Sequence, residues 1–215
     1  MRLIVLEGLD GSGKTTQVAL LEKALAQKER VRRVSFPNYS SPSSSLVKMY
    51  LAGEFGSQPE DVNAYAAGMF YAADRFASYT RDWRQDYLAG VTILSDRYTT
   101  SNLVYQMTKL PENSWEDYIW WAEDLEYAKL GLPKPTQVIY LDMPVEVSQQ
   151  LLMKRYQGDN EKKDIHERAL AFLQDCGKCA RFAAQRLGWQ VIPCAANGEP
   201  LEAELLHQHI LAALR

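Results

Sequence analysis

The chain has 215 residues, 47% of them apolar and 24% charged, with a formal net charge of −3. That suits one ordinary globular domain. It excludes a strongly basic surface for nucleic acid or membrane, and no apolar run reaches the ~18 residues of a membrane-spanning helix. From its first residues the chain runs into a predicted strand without a signal-peptide pattern. Of the 3 cysteines, Cys176 and Cys179 form a C-x-x-C inside a predicted helix, Ala169–Leu187, and Cys194 stands alone. A zinc site needs a second ligand pair, and a redox motif sits at a helix start after a strand. They read as reduced thiols of a cytoplasmic protein.

Arg2-Leu3-Ile4-Val5-Leu6 reads as a buried strand, and Val18, Leu20, Leu21, Ala24 and Leu25 recur at helical spacing. Between them, Gly8-Leu9-Asp10-Gly11-Ser12-Gly13-Lys14-Thr15 fits G-x-x-x-x-G-K-[ST] at every required position. Strand, glycine loop and helix start make an anion site. Backbone around Gly8, Gly11, Ser12, Gly13, Thr15 and Thr16 turns N–H groups toward phosphate oxygens, and the helix N-terminus adds a positive dipole end. Lys14 reaches the β- and γ-phosphates of ATP, and the Thr15 hydroxyl meets Mg²⁺. A carboxylate at Asp10 would repel those phosphates. It is expected to point away, toward a sugar hydroxyl, the acceptor or a cation such as Arg97.

The second strand is Val31–Phe36, ended by Pro37, with a loop over Asn38–Ser45 and a short helix over Leu46–Leu51. Pro59–Leu88 reads as one long helical region. On it, Tyr71 and Arg75 share a face. They fit either a stacking ring with an arginine for a base carbonyl, or a core aromatic beside a surface arginine. The third strand, Val91–Ser95, runs into Asp96-Arg97-Tyr98. A carboxylate at this strand tip holds Mg²⁺, and Arg97 grips an anion by two parallel bonds. Taken alone, the same pair fits a surface ion pair. A helix from about Ser101 presents Ser101, Asn102, Tyr105 and Gln106, either to a base edge or as ordinary helix surface. After Pro111 come a helix Trp115–Lys129, a loop Gly131–Pro135 and a fourth strand Gln137–Leu141. A helix from Pro144 to Arg155 leads into the polar stretch Gln157–Asp164. That stretch suggests a mobile lid over about 156–164, with a solvated loop as the alternative. A helix at 166–187, a strand Trp189–Pro193 and a helix Leu201–Leu214 complete the chain.

Five short apolar strands separated by helices imply an α/β fold, a five-stranded parallel sheet with helices on both faces. Ligands bind at the carboxyl ends of such strands. No repeat or linker divides residues 1–215, so a single domain is expected.

Several segments resemble the thymidylate kinase family of P-loop nucleoside-monophosphate kinases. They are Glu7 to Gln17, Ser35-Phe36-Pro37, Phe70 to Arg75, Asp96-Arg97-Tyr98, Ser101 to Gln106, Gly131 to Pro135, Tyr140 to Pro144 and the lid. The resemblance implies a P-loop kinase fold with a short lid, ATP with Mg²⁺ as donor, dTMP as acceptor and a homodimer. An interface is expected on the helices at 61–79 and 99–106. It implies that Asp10 meets the acceptor sugar and a neighbouring arginine, and that Arg97 holds the acceptor phosphate. Tyr71 stacks on thymine, Arg75 bonds its carbonyl, and Asn102 and Gln106 approach the base. Tyr105 crowds the sugar 2′ position, Phe36, Pro37 and Ser101 complete the acceptor site, and Arg155 lies near the ATP base. Three features depart from the family pattern. No arginine follows Phe36-Pro37, Gly11 stands where one branch has arginine, and Lys162 and Lys163 stand where another branch has lid arginines. Lysine supplies charge without the planar fork. A deoxynucleoside kinase, whose acceptor hydroxyl needs a base such as Glu7 or Asp96, a kinase for another deoxynucleoside monophosphate and a non-catalytic nucleotide switch are the competing readings.

Overall fold

The computed structural model describes residues 1–155 and 170–214. In chain order the regular elements are β1 (Leu3–Gly8), α1 (Lys14–Ala26), β2 (Val31–Ser35), α2 (Ser45–Leu51), α3 (Ala64–Ser78), α4 (Arg84–Leu88), β3 (Thr92–Asp96) and α5 (Thr100–Tyr105). They continue with α6 (Trp115–Glu123), β4 (Gln137–Asp142), α7 (Val145–Arg155), α8 (Leu170–Leu187), β5 (Gln190–Pro193), β6 (Ala195–Ala196), β7 (Glu199–Pro200) and α9 (Ala203–Ala213). β1 to β5 form one sheet in the order β2-β3-β1-β4-β5, with every neighbouring pair parallel. The expected five-stranded parallel sheet is present.

β1 and β3 are buried along their whole length, as strands covered on both faces must be. Successive side chains of β1 go to opposite cores. Ile4 and Leu6 pack with Val18 and Leu21 of α1 and Ile210 of α9. Leu3 and Val5 join the other core, with Leu103 of α5, Tyr118 of α6 and Cys176 and Ala180 of α8. Cys176 and Cys179 are both free and fully buried, and burial pushes both thiols up, Cys179 to about 12. They are core residues, in agreement with their place mid-helix.

Register brings the strand tips together. Leu6 of β1 lies opposite Asp96, Gly8 opposite Leu141, and Ser35 of β2 opposite Asp96. The glycine loop, the Phe36-Pro37 turn and Asp96-Arg97 therefore open onto one edge of the sheet.

The long helical region expected over Pro59–Leu88 is not one helix. A 3₁₀ turn at Pro59–Asp61 precedes α3, whose first turn is capped by Asn63 accepting from the Ala66 amide. A π-helical turn, Tyr79–Trp83, separates α3 from α4. Trp83 is fully buried there, with the Tyr79 ring 4.6 Å away and the Tyr98 ring 6.3 Å away. The expected Trp115–Lys129 helix likewise turns π-helical over Asp124–Lys129. One extra residue in a turn leaves almost no trace in apolar spacing. A small hairpin, β6 with β7, precedes α9 and delays its start to Ala203. Among the described residues no helix is long and apolar enough to cross a membrane.

Candidate active site

A cavity of about 690 Å³ lies at the carboxyl edge of the sheet. It gathers Asp10, Gly11, Gly13, Lys14, Thr15 and Thr16 from the glycine loop, and Phe36 and Pro37 from the end of β2. Asp96 and Arg97 come from the tip of β3, Tyr71 and Arg75 from α3, and Ser101, Asn102, Tyr105 and Gln106 from the α5 segment. Gly8 and Ser12 are not on its wall. A Cβ on Gly8 would lie 2.7 Å from Ser12 Oγ and 3.0 Å from the Leu141 carbonyl, so this glycine serves close packing. Ser12 is fully buried beneath the loop. The Arg155 side chain, Lys162, Lys163 and the lid over 156–164 lie outside the described residues.

The loop conformation follows from its glycines. Gly11 and Gly13 have φ of 79° and 82°, in the left-handed region that side chains avoid. A Cβ on Gly11 would also lie 2.6 Å from the Ser148 carbonyl oxygen. This closeness to α7 leaves no space for the arginine found there in one branch of the family. Lys14 Nζ curls back to donate to the Leu9 carbonyl at 2.9 Å and lies 3.9 Å from Asp10. Burial, joined by the Arg97 cation, pushes the Lys14 pKa down to about 8, with Asp10, Asp96 and Glu7 working against that fall.

Asp10 does turn toward Arg97. Arg97 Nη2 donates to Asp10 Oδ1 at 2.6 Å, and the Tyr105 hydroxyl donates to Oδ2 at 3.2 Å. Burial favours the protonated acid, but Arg97 and Lys14 outweigh it and hold the Asp10 carboxyl far below the usual range. Burial opposes the Arg97 cation too, and Asp10, Tyr105 and Glu7 hold its pKa well above the ordinary value. The Arg97 guanidinium carbon lies 5.0 Å from the Tyr105 ring centroid. Arg97 itself has φ of 63°, a strained conformation for a residue with a side chain. It is fixed by its amide donating to Leu6 and by Ser95 Oγ donating to its carbonyl.

Glu7 anchors this arrangement. It is fully buried at the end of β1 and accepts four bonds: from the Gly8 amide at 2.9 Å, Arg97 Nη1 at 3.2 Å, Thr100 at 2.8 Å and Ser101 at 2.7 Å. A carboxylate so engaged is not free to take a proton from a substrate hydroxyl. Ser101, expected on the acceptor, here holds Glu7 while also lining the cavity.

The far wall is a buried polar network. Arg75 donates twice to Glu126, with both bonds at 2.6 Å, and Asn102 Nδ2 donates to Glu126 at 2.9 Å and to the Gly68 carbonyl at 3.1 Å. Arg75 is thus no surface residue. Gln106 is 1% exposed, and its Oε1 has no partner among the described residues. Such an acceptor on a cavity wall is costly until a donor arrives.

Glu126 is absent from the sequence reading of the site, and Glu7 figured there only in a motif and as a candidate base. Ser35 and Tyr98, which stand in motifs without an assigned role, also line the cavity, as do Tyr39, Leu51, Leu151 and Leu152. Tyr39 carried a signal, an aromatic just past Phe36-Pro37. Leu151 and Leu152 on α7 carried none.

Thr15 and Asp96 line the same cavity, and their oxygen donors fit Mg²⁺ that keeps phosphate and water as its other ligands. Among the described residues no group of three or more His, Cys, Asp or Glu is placed to hold a metal.

A family model described as thymidylate kinase matches residues 6–205. A thymidylate kinase of Mycobacterium tuberculosis is 32% identical over 203 residues, covering 92% of this chain and 93% of that protein. One of Schizosaccharomyces pombe is 27% identical over 209 residues, covering 95% and 90%. A solved thymidylate kinase structure from Candida albicans superposes with a TM-score of 0.70 at 20% identity, covering 98% of this chain and 89% of that one, which is a likeness of fold.

Proposed function

Since the chain belongs to the thymidylate kinase family, we propose that it transfers the γ-phosphoryl group of ATP to dTMP, giving dTDP and ADP, by in-line displacement. The observation that carries this reading is the shared cavity. A P-loop at one end and an arginine, aromatic and amide wall at the other meet at the Asp10–Arg97 pair. Residues 1–215 act as one P-loop kinase unit in the cytoplasm.

The acceptor phosphate is already an anion, so no strong base is needed, and catalysis is positioning with charge neutralisation. Lys14 holds the β- and γ-phosphates. Arg97 exchanges its bond with Asp10 for the acceptor phosphate, while Asp10 turns to the sugar and Tyr105 crowds its 2′ position. Tyr71 stacks on the base, with Arg75, Asn102 and Gln106 at its polar edge. Thr15 and Asp96 would hold magnesium together with the phosphates, and the ion would supply neutralisation of negative charge there. Lys162 and Lys163 are assigned to the closed lid and Arg155 to the ATP base, on the family pattern alone.

Product analysis with ATP and magnesium tests the reading. dTMP should yield dTDP, and thymidine should yield nothing comparable. Conversion of thymidine to dTMP at a similar rate would overturn it in favour of a nucleoside kinase. The committed Glu7 carboxylate speaks against that outcome.

The Lys14 pKa of about 8 sets a pH dependence. Phosphate binding needs the ammonium, so kcat/KM for ATP should fall as pH rises through about 8. In kcat this limb should move to higher pH, because bound phosphate favours the cation. Stability runs the other way. The unfolded lysine titrates at its ordinary 10.5, so between pH 8 and 10.5 the unfolded chain binds more protons and this group's contribution to stability rises with pH. A pH-independent kcat/KM for ATP through this range would mean that Lys14 keeps its proton above pH 8 in the free protein.

Of the two segments expected at a homodimer interface, the one at 61–79 carries an exposed apolar face. Tyr65, Met69 and Phe76 are exposed along one stripe of α3, and Trp120 is exposed on α6. The 99–106 segment offers no such face, because Leu103, Val104 and Tyr105 are spent in the chain's own core. Sedimentation velocity should show twice the chain mass, and Met69→Lys should shift it toward monomer. A wild-type protein sedimenting as a monomer would overturn the assignment.

A further inference from the structure

Behind the cavity wall lies a carboxylate that phosphoryl transfer does not use. Glu126 is fully buried and is not part of the lining, yet it holds two residues that are, Arg75 and Asn102. It is carried in the π-helical turn Asp124–Lys129, a widened turn of the kind that recurs at functional sites.

Glu126 fixes which atoms its neighbours can show a ligand. An ionised carboxylate only accepts hydrogen bonds. The two hydrogens on Asn102 Nδ2 go to Glu126 and to the Gly68 carbonyl. The polar atom left to Asn102 is Oδ1, an acceptor. Arg75 gives Nε and Nη2 to Glu126 through two parallel bonds. That leaves the Nη1 hydrogens and the second Nη2 hydrogen as donors. Asn102 thus presents an acceptor and Arg75 a donor, beside the unpartnered Gln106 Oε1, and the Asn102 amide cannot reverse without losing both bonds.

A 4-oxo pyrimidine carries an N3–H donor beside an O4 acceptor, the complement of this pair. A 4-amino pyrimidine carries an N3 acceptor beside an amino donor, the inverse. We propose that Glu126 is a specificity-determining positioning residue, which selects 4-oxo over 4-amino pyrimidine nucleotides by fixing the Asn102 amide and the Arg75 fork. The inference rests on the reading of this cavity as the acceptor site.

The test compares dTMP with 5-methyl-dCMP, which differ only at the 4-substituent and the N3 proton. The wild-type protein should prefer dTMP by about 10³-fold or more in kcat/KM, since the wrong edge leaves buried groups unpaired. Glu126→Gln places a donor where an acceptor stood. It should reduce that ratio by about tenfold or more, chiefly through a higher KM for dTMP, with KM for ATP nearly unchanged. A merely structural ion pair would lower stability and slow both nucleotides alike. An unchanged ratio in the folded variant overturns the proposal. If Glu126→Gln does not fold, Glu126→Asp keeps the buried charge but is too short to reach both partners, and the same ratio decides. A wild-type protein that phosphorylates neither nucleotide overturns the functional reading and this inference with it. A wild-type preference for dTMP that survives both substitutions overturns the role of Glu126 alone.

Discussion

Lys14→Ala is expected to lower kcat by about 10²–10³-fold, the loss typical when one fixed electrostatic partner of the reacting charge is removed. Lys14 is 7% exposed and sits in the turn that begins α1, so no other side chain of the loop can replace its cation. The fold should persist. Lys14 is held by the Leu9 carbonyl and, at 3.9 Å, by Asp10, and Asp10 keeps its shorter bond to Arg97. Burial already disfavours this cation, so the melting temperature should stay near the wild-type value while turnover collapses. Near-normal turnover in the variant would end the P-loop assignment.

Arg97→Ala should damage both function and stability, with the functional loss on the acceptor side. KM for dTMP should rise and kcat should fall, while KM for ATP changes much less. The variant also leaves Glu7 with one donor fewer and takes from Asp10 its shortest partner. Arg97 and Asp10 are only partly buried, so the loss should fall below the about 3–5 kcal/mol typical of breaking a fully buried pair, and thermal unfolding will read it. Arg97→Lys should recover part of the stability without recovering KM for dTMP, because the ammonium cannot hold two carboxylates and then a phosphate as a planar fork does. If ATP binding alone suffered, Arg97 would belong to the donor side.

What the sequence made legible was local. The glycine loop, its strand and its helix are contiguous, and the motif specifies both their order and their conformation. The parallel sheet followed from short apolar runs alternating with helices. The hairpin at Ala195–Pro200 was missed although Asn197-Gly198 is a strong turn signal. Its strands are two residues each, too short for any alternation to show. The two π-helical turns were missed because spacing hardly registers one added residue. The Arg75–Glu126 pair joins positions 51 apart, through a helix that reads from its sequence as an ordinary Trp-rich face. Glu7 did leave a trace, a lone carboxylate closing an otherwise apolar strand. Its four donors, however, come from the next residue and from positions ninety or more away.

That single carboxylate has a mechanical consequence. It binds the amide that begins the glycine loop, the arginine at the tip of β3 and the first turn of α5. Two ends of a transfer path are thereby referred to one atom group beneath them. When the cleft breathes, its rims can swing apart, but the floor on which both substrates would rest cannot shear without stretching charged bonds of about 3 Å. The glycine loop, the tip of β3 and the start of α5 are then held in register by one side chain.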